Sequence, residues 1–415
     1  MAKYLVPVIT FVICVVSFNA QAAKKESVPA YPHYWVSIAT SNQIIPGMSE
    51  QTSGFASMFS GKSGFGPRRS LQLQLESPRQ VPEKPEALHN IPVGQNMGKT
   101  LQLLTPQPVK ETREAQTSER EKPEKVEKPK ARMLIYWGCG ETVSKGQPRI
   151  IDTEKMDMVQ FGKALIGRSP TPQYPPSVRS GWVYGEWPNQ EDSKDVPKDS
   201  SLIGEHLING NFVKDIRFNI DQKRDFMAPV EFTTLKSTSN GAMKVEWKAI
   251  PTATGYFATV MAHNSKTDET VLWSSSAIYE PGFALMNYLT NSDVQRFIKE
   301  KVVMPAGTTT CTLPPVFKDV AGALQFIAYG EEMNVIYPPK PKDPKKLWNP
   351  EWSVKVRLKS TGMTPLMENE DSKDTSKKNK SSKSVDDGES GEKRDKEDSG
   401  QTGSPMNKFK GMFGF

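Results

Sequence analysis

The chain has 415 residues, of which 36% are hydrophobic, and it contains 33 prolines and 29 glycines. That length allows two or three domains, but the low apolar content argues against one compact globule and indicates that part of the chain is disordered. The net charge is +7, and no long block of lysine and arginine carries it. We therefore expect mild affinity for anionic surfaces and no nucleic-acid partner.

Residues 1–22 have the pattern of a secretory signal peptide. A lysine precedes the apolar residues 5–18, and Ala-Gln-Ala at residues 20–22 fits the cleavage site. A membrane anchor is the alternative, but the apolar run is short for a membrane span. A lipid attached to Cys14 is less favoured, because this cysteine lies inside the apolar run. The expected location is therefore the periplasm or the exterior of a bacterial cell.

Strand patterns recur from residue 23 to residue 224, which we predict to be a first, β-rich domain. In residues 70–75 leucine and glutamine alternate, which is typical of a strand with one buried face. Two stretches are predicted to be disordered insertions: residues 47–66 are rich in glycine and serine, and residues 106–130 in lysine, glutamate and proline. Residues 163–215 are predicted to be irregular. The predicted strands are residues 31–40, 70–75, 101–104, 132–137 and 215–220.

A second domain is predicted at residues 225–362, and residues 244–262 are its central feature. Val245 and Trp247 alternate with charged residues, which predicts a half-buried strand. Pro251 and Gly255 bracket a turn, and the aromatic and β-branched run that follows predicts a buried strand. The other predicted strands are residues 230–235, 270–275, 308–313, 323–329 and 352–358.

The Val-x-Trp, Pro, Ala, Gly-Tyr spacing of residues 245–256 resembles the B and C strands of bacterial fibronectin type III-like sandwiches, which share an immunoglobulin-like fold. The resemblance implies a β-sandwich for the second domain, and it implies no chemistry. A helix predicted at residues 287–301 departs from that all-β pattern and is an insertion. Ser292 can cap this helix, and Gln295 completes a capping box. The predicted fold is therefore mainly β, with two sandwich-like domains.

Residues 363–415 are predicted to be a disordered, charged tail with an apolar end, because residues 368–403 contain almost nothing that could form a core. Two interpretations of the end stay open. It is either a hook that docks on a partner or a membrane surface, or a frayed end without a role. The residues of the predicted hook are Met406, Phe409, Met412, Phe413 and Phe415.

Two cysteines, Cys139 and Cys311, remain after the predicted signal peptide. In an oxidising compartment they either pair or stay as two buried thiols, and both alternatives are open. The four histidines have no metal-site spacing, and no CxxC, nucleophile-elbow or phosphate-binding motif occurs, so no cofactor is expected. A hydrolase with Cys139 as nucleophile and His206 as base is the alternative function.

Four aromatic residues lie among prolines and glycines: Tyr174, Trp182, Tyr184 and Trp187. Such a frame can hold aromatic rings toward solvent, where they bind sugars or peptides. The alternative is that these rings fill the end of the first domain's core. The sequence favours a non-catalytic binding or structural protein of the bacterial envelope, with a protein or glycan partner, over an enzyme.

Overall fold

The computed structural model describes residues 29–44, 66–78, 82–106, 132–318, 320–343 and 345–366. All of these belong to one of the two compact units into which the chain divides. The predicted signal peptide and the predicted apolar hook lie outside the described residues, as do nearly all of the two predicted insertions.

The described residues form a mainly β fold, as predicted, with eighteen strands and two short α-helices. The first nine strands are β1 (His33–Gln43), β2 (Gly66–Ser77), β3 (Ala87–Asn90), β4 (Thr100–Leu103), β5 (Arg132–Trp137), β6 (Arg149–Asp152), β7 (Val183–Trp187), β8 (Gly204–Gly210) and β9 (Ile216–Ile220). The others are β10 (Phe232–Ser237), β11 (Met243–Trp247), β12 (Ala253–Asn264), β13 (Glu269–Ser274), β14 (Met304–Pro305), β15 (Thr310–Leu313), β16 (Ala321–Gly330), β17 (Met333–Tyr337) and β18 (Trp352–Leu366). The helices are α1 (Met158–Ala164) and α2 (Asn291–Lys299).

These strands form a main sheet of eleven strands and two small sheets. The order in the main sheet is β6-β5-β13-β12-β16-β18-β1-β2-β7, with β14 beside β12 and β17 beside β18. The small sheets have the orders β10-β11-β15 and β4-β3-β8-β9. β1 runs parallel to β18, and β5 runs parallel to β13, while the pairs β1–β2, β12–β16 and β16–β18 are antiparallel.

One continuous apolar core joins the three sheets, which we call the large core. It contains Val36 and Leu73 from the main sheet, Ile208 from the four-stranded sheet and Trp247 from the three-stranded sheet. Successive side chains of a strand point to opposite faces, so the residues of the main sheet that enter the large core all lie on one of its faces. The small sheets cover that face in a sandwich-like arrangement. The other face carries α2, whose Phe297 packs in a separate, smaller core.

Strands from both sides of the predicted boundary at residue 225 share the main sheet. The parallel pairs β1–β18 and β5–β13 each join a strand before that residue to a strand after it. The two predicted domains thus contribute to one sheet, and a boundary between independently folding units stays a prediction. The predicted tail also begins too early, because β18 continues through Leu366.

Helix α2 is shorter than predicted and begins at a different cap. Thr290, not Ser292, is the N-cap, and its side chain accepts a hydrogen bond from the backbone N–H of Asp293 at 3.1 Å. The predicted C-terminal end at Lys301 is also wrong, because this residue has a φ of 61°, which no α-helix accommodates. Val294 and Phe297 are both buried, so one face of the helix packs into the fold.

The predicted irregular region between residues 163 and 215 contains two strands, β7 and β8. Val183, Tyr184 and Gly185 are all buried, so no alternation of polar and apolar residues marks β7. A Cβ atom at Gly185 would lie 3.2 Å from the carbonyl oxygen of Leu103. This glycine therefore permits close packing within a strand, where the sequence suggests a loop.

Candidate binding cleft

A cleft of about 580 Å³ opens on the face of the main sheet opposite the large core. Its floor consists of the outward side chains of β1 and β18, namely His33, Trp35, Ser353 and Lys355. The parallel register places His33 beside Ser353 and Trp35 beside Lys355. The intervening residues Tyr34, Val36, Val354 and Val356 are buried in the large core, which fixes the direction of the floor residues.

A proline-rich segment, residues 171–179, forms one wall, and we call it the strap. At one end of the strap, Thr171 donates from its backbone N–H and its hydroxyl to Asp293, at 2.8 and 3.1 Å. At the other end, Arg179 binds Glu76 through two hydrogen bonds of 2.7 and 3.1 Å. The prolines keep the segment extended, and these anchors hold it across the sheet.

Asp293 is the better buried of the two anchoring carboxylates. Burial alone would raise the pKa of Asp293, but hydrogen bonds from Thr171, Thr290 and Arg296 outweigh it and lower the pKa. The carboxylate therefore stays charged near neutral pH and holds the strap to the start of α2. The opposite wall of the cleft is β17, which contributes Asn334, Val335 and Ile336.

The four aromatic residues singled out in the sequence separate into two groups. Tyr174 lies on the strap, lines the cleft and is 82% exposed. Trp182 lies beside the cleft, where its ring stacks on the His33 ring at 6.0 Å and on the Arg179 guanidinium at 3.5 Å. Tyr184 and Trp187 are buried. This corrects the prediction of a four-residue binding surface, because pairing of β7 with β2 buries the last two rings.

Three further rings line the cleft, and the sequence does not single them out as site residues: Tyr31, His33 and Trp35. Residues 31–40 carry only the general pattern of a strand. The usable signal is the alternation itself, because a strand that buries Tyr34 and Val36 must turn His33 and Trp35 toward its other face. The two rings that face outward, His33 and Trp35, indicate a binding surface on this face of the sheet.

Three cations follow one another along the outer face of β18, and we call them the cation row: Lys355, Arg357 and Lys359. Trp35 lies between the first two, with its ring centre 5.2 Å from the Lys355 amine and 4.9 Å from the Arg357 guanidinium. Tyr288 lies over the last two, at 4.4 Å from Arg357 and 4.5 Å from Lys359. Burial raises the pKa of Tyr288 to about 12, so its ring stays neutral.

Cys139 and Cys311, for which the sequence leaves two alternatives open, form a disulfide in the structure. In this form the Cys139 sulfur is not a free nucleophile. Both ring nitrogens of His206, the base of the alternative hydrolase, have other partners: His89 at 2.8 Å and the carbonyl oxygen of Leu202 at 2.7 Å. The two groups are therefore not brought together in this arrangement.

His206 belongs instead to a buried chain of hydrogen bonds. The Leu202 carbonyl can only accept, so Nε2 of His206 donates, and Nδ1 of a neutral His206 must accept from His89. Nδ1 of His89 then accepts from the Tyr34 hydroxyl at 2.9 Å. Every group is satisfied only while both histidines are neutral. Burial, and secondly the neighbouring His206, lowers the pKa of His89 well below its usual range, and burial lowers the pKa of His206.

We expect this pair to make the fold sensitive to acid. Above about pH 6.5 histidines are neutral in both the folded and the unfolded chain, and the pair has no effect. As the pH falls below that value, the unfolded histidines take up protons that the folded ones refuse. The free energy of unfolding should then fall by up to about 1.4 kcal/mol per pH unit for each histidine. Urea unfolding at pH 7.5, 6.5 and 5.5 measures this loss.

The double variant His89→Gln, His206→Gln is the control for acid sensitivity. It places neutral amides at both positions and removes these two titrating groups, so its stability should vary less than that of the wild type between pH 7.5 and 5.5. His33, whose pKa burial also lowers, still titrates in the variant. An equal pH dependence in the variant and the wild type would contradict the assignment.

No protein-family model matches the sequence, and a search of the curated proteins finds no match. Within the part of the chain that the structure describes, no group of three or more His, Cys, Asp or Glu side chains is arranged to hold a metal ion. No helix of those residues combines the length and apolar character that a membrane span needs. The cleft must therefore be interpreted from its own chemistry.

Proposed function

We propose that the protein is a non-catalytic glycan-binding protein of the bacterial envelope, periplasmic or secreted, and that a glycan binds in the cleft. The observation that carries this proposal is the composition of the lining. Aromatic rings of Tyr31, Trp35 and Tyr174 occur beside the side-chain amides of Gln173 and Asn334. Sugars present apolar C–H faces, which stack on rings, and hydroxyl groups, which bind amides.

The expected location and domain type agree with this role but rest on the sequence. The signal-peptide pattern of residues 1–22 supports export. The proposed fibronectin type III-like sandwich is supported by the order of its strands, since β10-β11-β15 faces β13-β12-β16-β18 across Trp247. Such a sandwich would display the cleft without supplying chemistry of its own. The hydrolase alternative has less support, because Cys139 is bonded to Cys311.

Replacing Tyr174 with alanine should weaken glycan binding about fivefold to tenfold, because the variant loses one stacking ring, which is worth about 1 kcal/mol. The ring is exposed, so the fold should not change. Binding of the mature protein to an array of bacterial polysaccharides would identify a ligand. Calorimetry would then compare the affinities of the variants and the wild type for that ligand.

Tyr174→Trp keeps a ring and should keep the affinity, while Val93→Ala, at a side chain that is 92% exposed and outside the cleft lining, is the matched control. Binding by none of the glycans on the array would refute the proposed function. Equal affinity of Tyr174→Ala and the wild type for the glycan would show that the glycan does not bind at the strap.

A protein partner is the second candidate, and β17 is the observation that favours it. This strand pairs with β18 along one edge and with no described strand along the other. Ile336 and Tyr337 on this strand are exposed, so an extended peptide could add there as another strand. Recovery of a protein from envelope extract, lost in Ile336→Asp but retained in Tyr174→Ala, would favour this candidate. Membrane contact through the predicted hook stays a separate prediction, outside the described residues.

A further inference from the structure

We infer that the ligand of the cleft is an acidic polysaccharide and that Arg357 and Lys359 bind its anionic groups. The inference rests on the proposed glycan-binding function and adds the chemical class of the glycan. It is carried by an imbalance of charge just beyond the residues that line the cleft, where the cation row continues along β18 from Lys355 to Arg357 and Lys359.

The cation row is fixed by the sheet. Lys355, Arg357 and Lys359 occupy alternate positions of β18, so they lie on one face of the main sheet. Lys355 lines the cleft beside Trp35, and the next two cations continue along the same strand. All three are only partly exposed, while the residues between them are buried in the large core. The side chains therefore cannot turn away from this face.

Among the described residues, a direct ion pair neutralises only one of the three cations, although Glu332 also attracts Arg357 at longer range. Lys355 forms an ion pair with Glu332 at 2.8 Å. Arg357 donates to the hydroxyl of Ser37 at 2.8 Å, and Lys359 donates to the amide oxygen of Asn287 at 3.2 Å. Among the described residues, no carboxylate forms an ion pair with either Arg357 or Lys359. The direct contacts of these two partly buried cations are thus neutral acceptors and aromatic rings.

Such an arrangement is costly without an anion. Burial, and then the charge of Arg357, lowers the pKa of Lys359 to about 8, and burial also lowers the pKa of Arg357. The rings of Trp35 and Tyr288 offset part of this cost through cation–π contacts. A carboxylate or sulfate group beside the two cations would offset more of it, because charge-assisted hydrogen bonds are the stronger kind.

The rest of the cleft does not oppose an anion. Glu76 is the one carboxylate among the described residues that line it, and Arg179 already binds both of its oxygens. The loop that follows β17 adds positive charge close to Ile336, another lining residue. This loop, residues 338–346, carries four exposed lysines against one aspartate: Lys340, Lys342, Lys345, Lys346 and Asp343. Charge of one sign around a cleft attracts ligands of the other sign.

A matched pair of polysaccharides tests the inference: polygalacturonate and its methyl ester, which share a backbone and differ in charge. Heparin and dextran extend the test to a sulfated and a neutral chain. We expect the full-length mature protein to bind one or both acidic chains at least about tenfold more tightly than their neutral counterparts. That binding should weaken as the salt concentration rises, because salt screens exposed charges.

Two variants locate the anionic group. Arg357→Gln and Lys359→Gln should each weaken binding of the acidic chain about tenfold while leaving binding of the neutral chain unchanged. Lys359→Arg keeps the charge and should keep most of the affinity. Lys236→Gln removes one positive charge from β10, in the three-stranded sheet, and is the control for net charge.

The outcomes separate the inference from the proposed function. Equal binding of acidic and neutral chains would overturn the inference and leave the glycan-binding function standing. Binding of no polysaccharide would overturn both. Thermal unfolding checks that each variant is folded, and if Arg357→Gln is not, Lys359→Gln and the salt dependence of the wild type decide the question. Tight binding of an acidic polysaccharide that neither salt nor the two variants weaken would also overturn the assignment of Arg357 and Lys359 as the groups that bind its anions.

Discussion

Removing the Cys139–Cys311 disulfide is expected to lower the free energy of unfolding by about 3–5 kcal/mol. The bond joins residues 172 positions apart, so without it the unfolded chain gains a large amount of conformational entropy. It connects the loop after β5, in the main sheet, to β15, in the three-stranded sheet. Urea unfolding of the double variant Cys139→Ala, Cys311→Ala, compared with the oxidised wild type, measures the loss.

The reduced wild type separates the bond from the substitutions. Cys311 is buried, so alanine at that position also removes some packing. Wild-type protein treated with a reductant should lose most of the stability that the double variant loses, because both lack the cross-link. A reductant that leaves the unfolding midpoint unchanged would show that the bond contributes little. The hydrogen bond from Gly140 N–H to the Thr312 carbonyl, at 2.7 Å, would then hold this junction.

The cross-link illustrates which features a sequence can predict. Strand β11 is predictable because Val245 and Trp247 alternate with charged residues over a few positions. The pairing of the cysteines is not predictable, because the number of residues between two cysteines does not tell how close they lie in the folded protein. The same limit applies to the floor of the cleft. Trp35 and Lys355 are neighbours only because β1 and β18 run side by side, and no local pattern encodes that pairing.

The errors at shorter range have a different cause, which is competition between equivalent local signals. Thr290 and Ser292 can both cap a helix, and the first one does. Tyr174 and Trp187 both lie in proline- and glycine-rich surroundings, yet the first is exposed on the strap and the second is buried in β7. Only the pairing of β7 with β2 distinguishes them. Of the rings that line the cleft, the sequence analysis singles out only Tyr174. The alternation along β1 could have added His33 and Trp35, but their neighbours on β18 follow only from the topology.

Replacing Trp247 with alanine is expected to lower the free energy of unfolding by about 3–5 kcal/mol, as large-to-small changes at buried aromatic residues do. The side chain is 3% exposed, and its ring centre lies 4.8 Å from that of Phe326 and 5.7 Å from that of Tyr256. Trp247 belongs to the three-stranded sheet and its two neighbours to the main sheet, so the ring joins the layers of the sandwich. Urea unfolding of the full-length protein measures the effect.

Two comparison variants make the Trp247 result specific to packing between the sheets. The Nε1 atom of Trp247 is buried without a hydrogen-bond partner among the described residues, so Trp247→Phe gives up no polar contact and should cost much less than alanine. Trp348→Ala removes a partly exposed ring from the loop before β18 and should also cost less, although its Nε1–H donates to the Pro338 carbonyl. An unfolding midpoint for Trp247→Ala equal to that of the wild type would place the ring outside the core. The register of β11 would then have to shift by one residue, because only that change turns Trp247 to the opposite face.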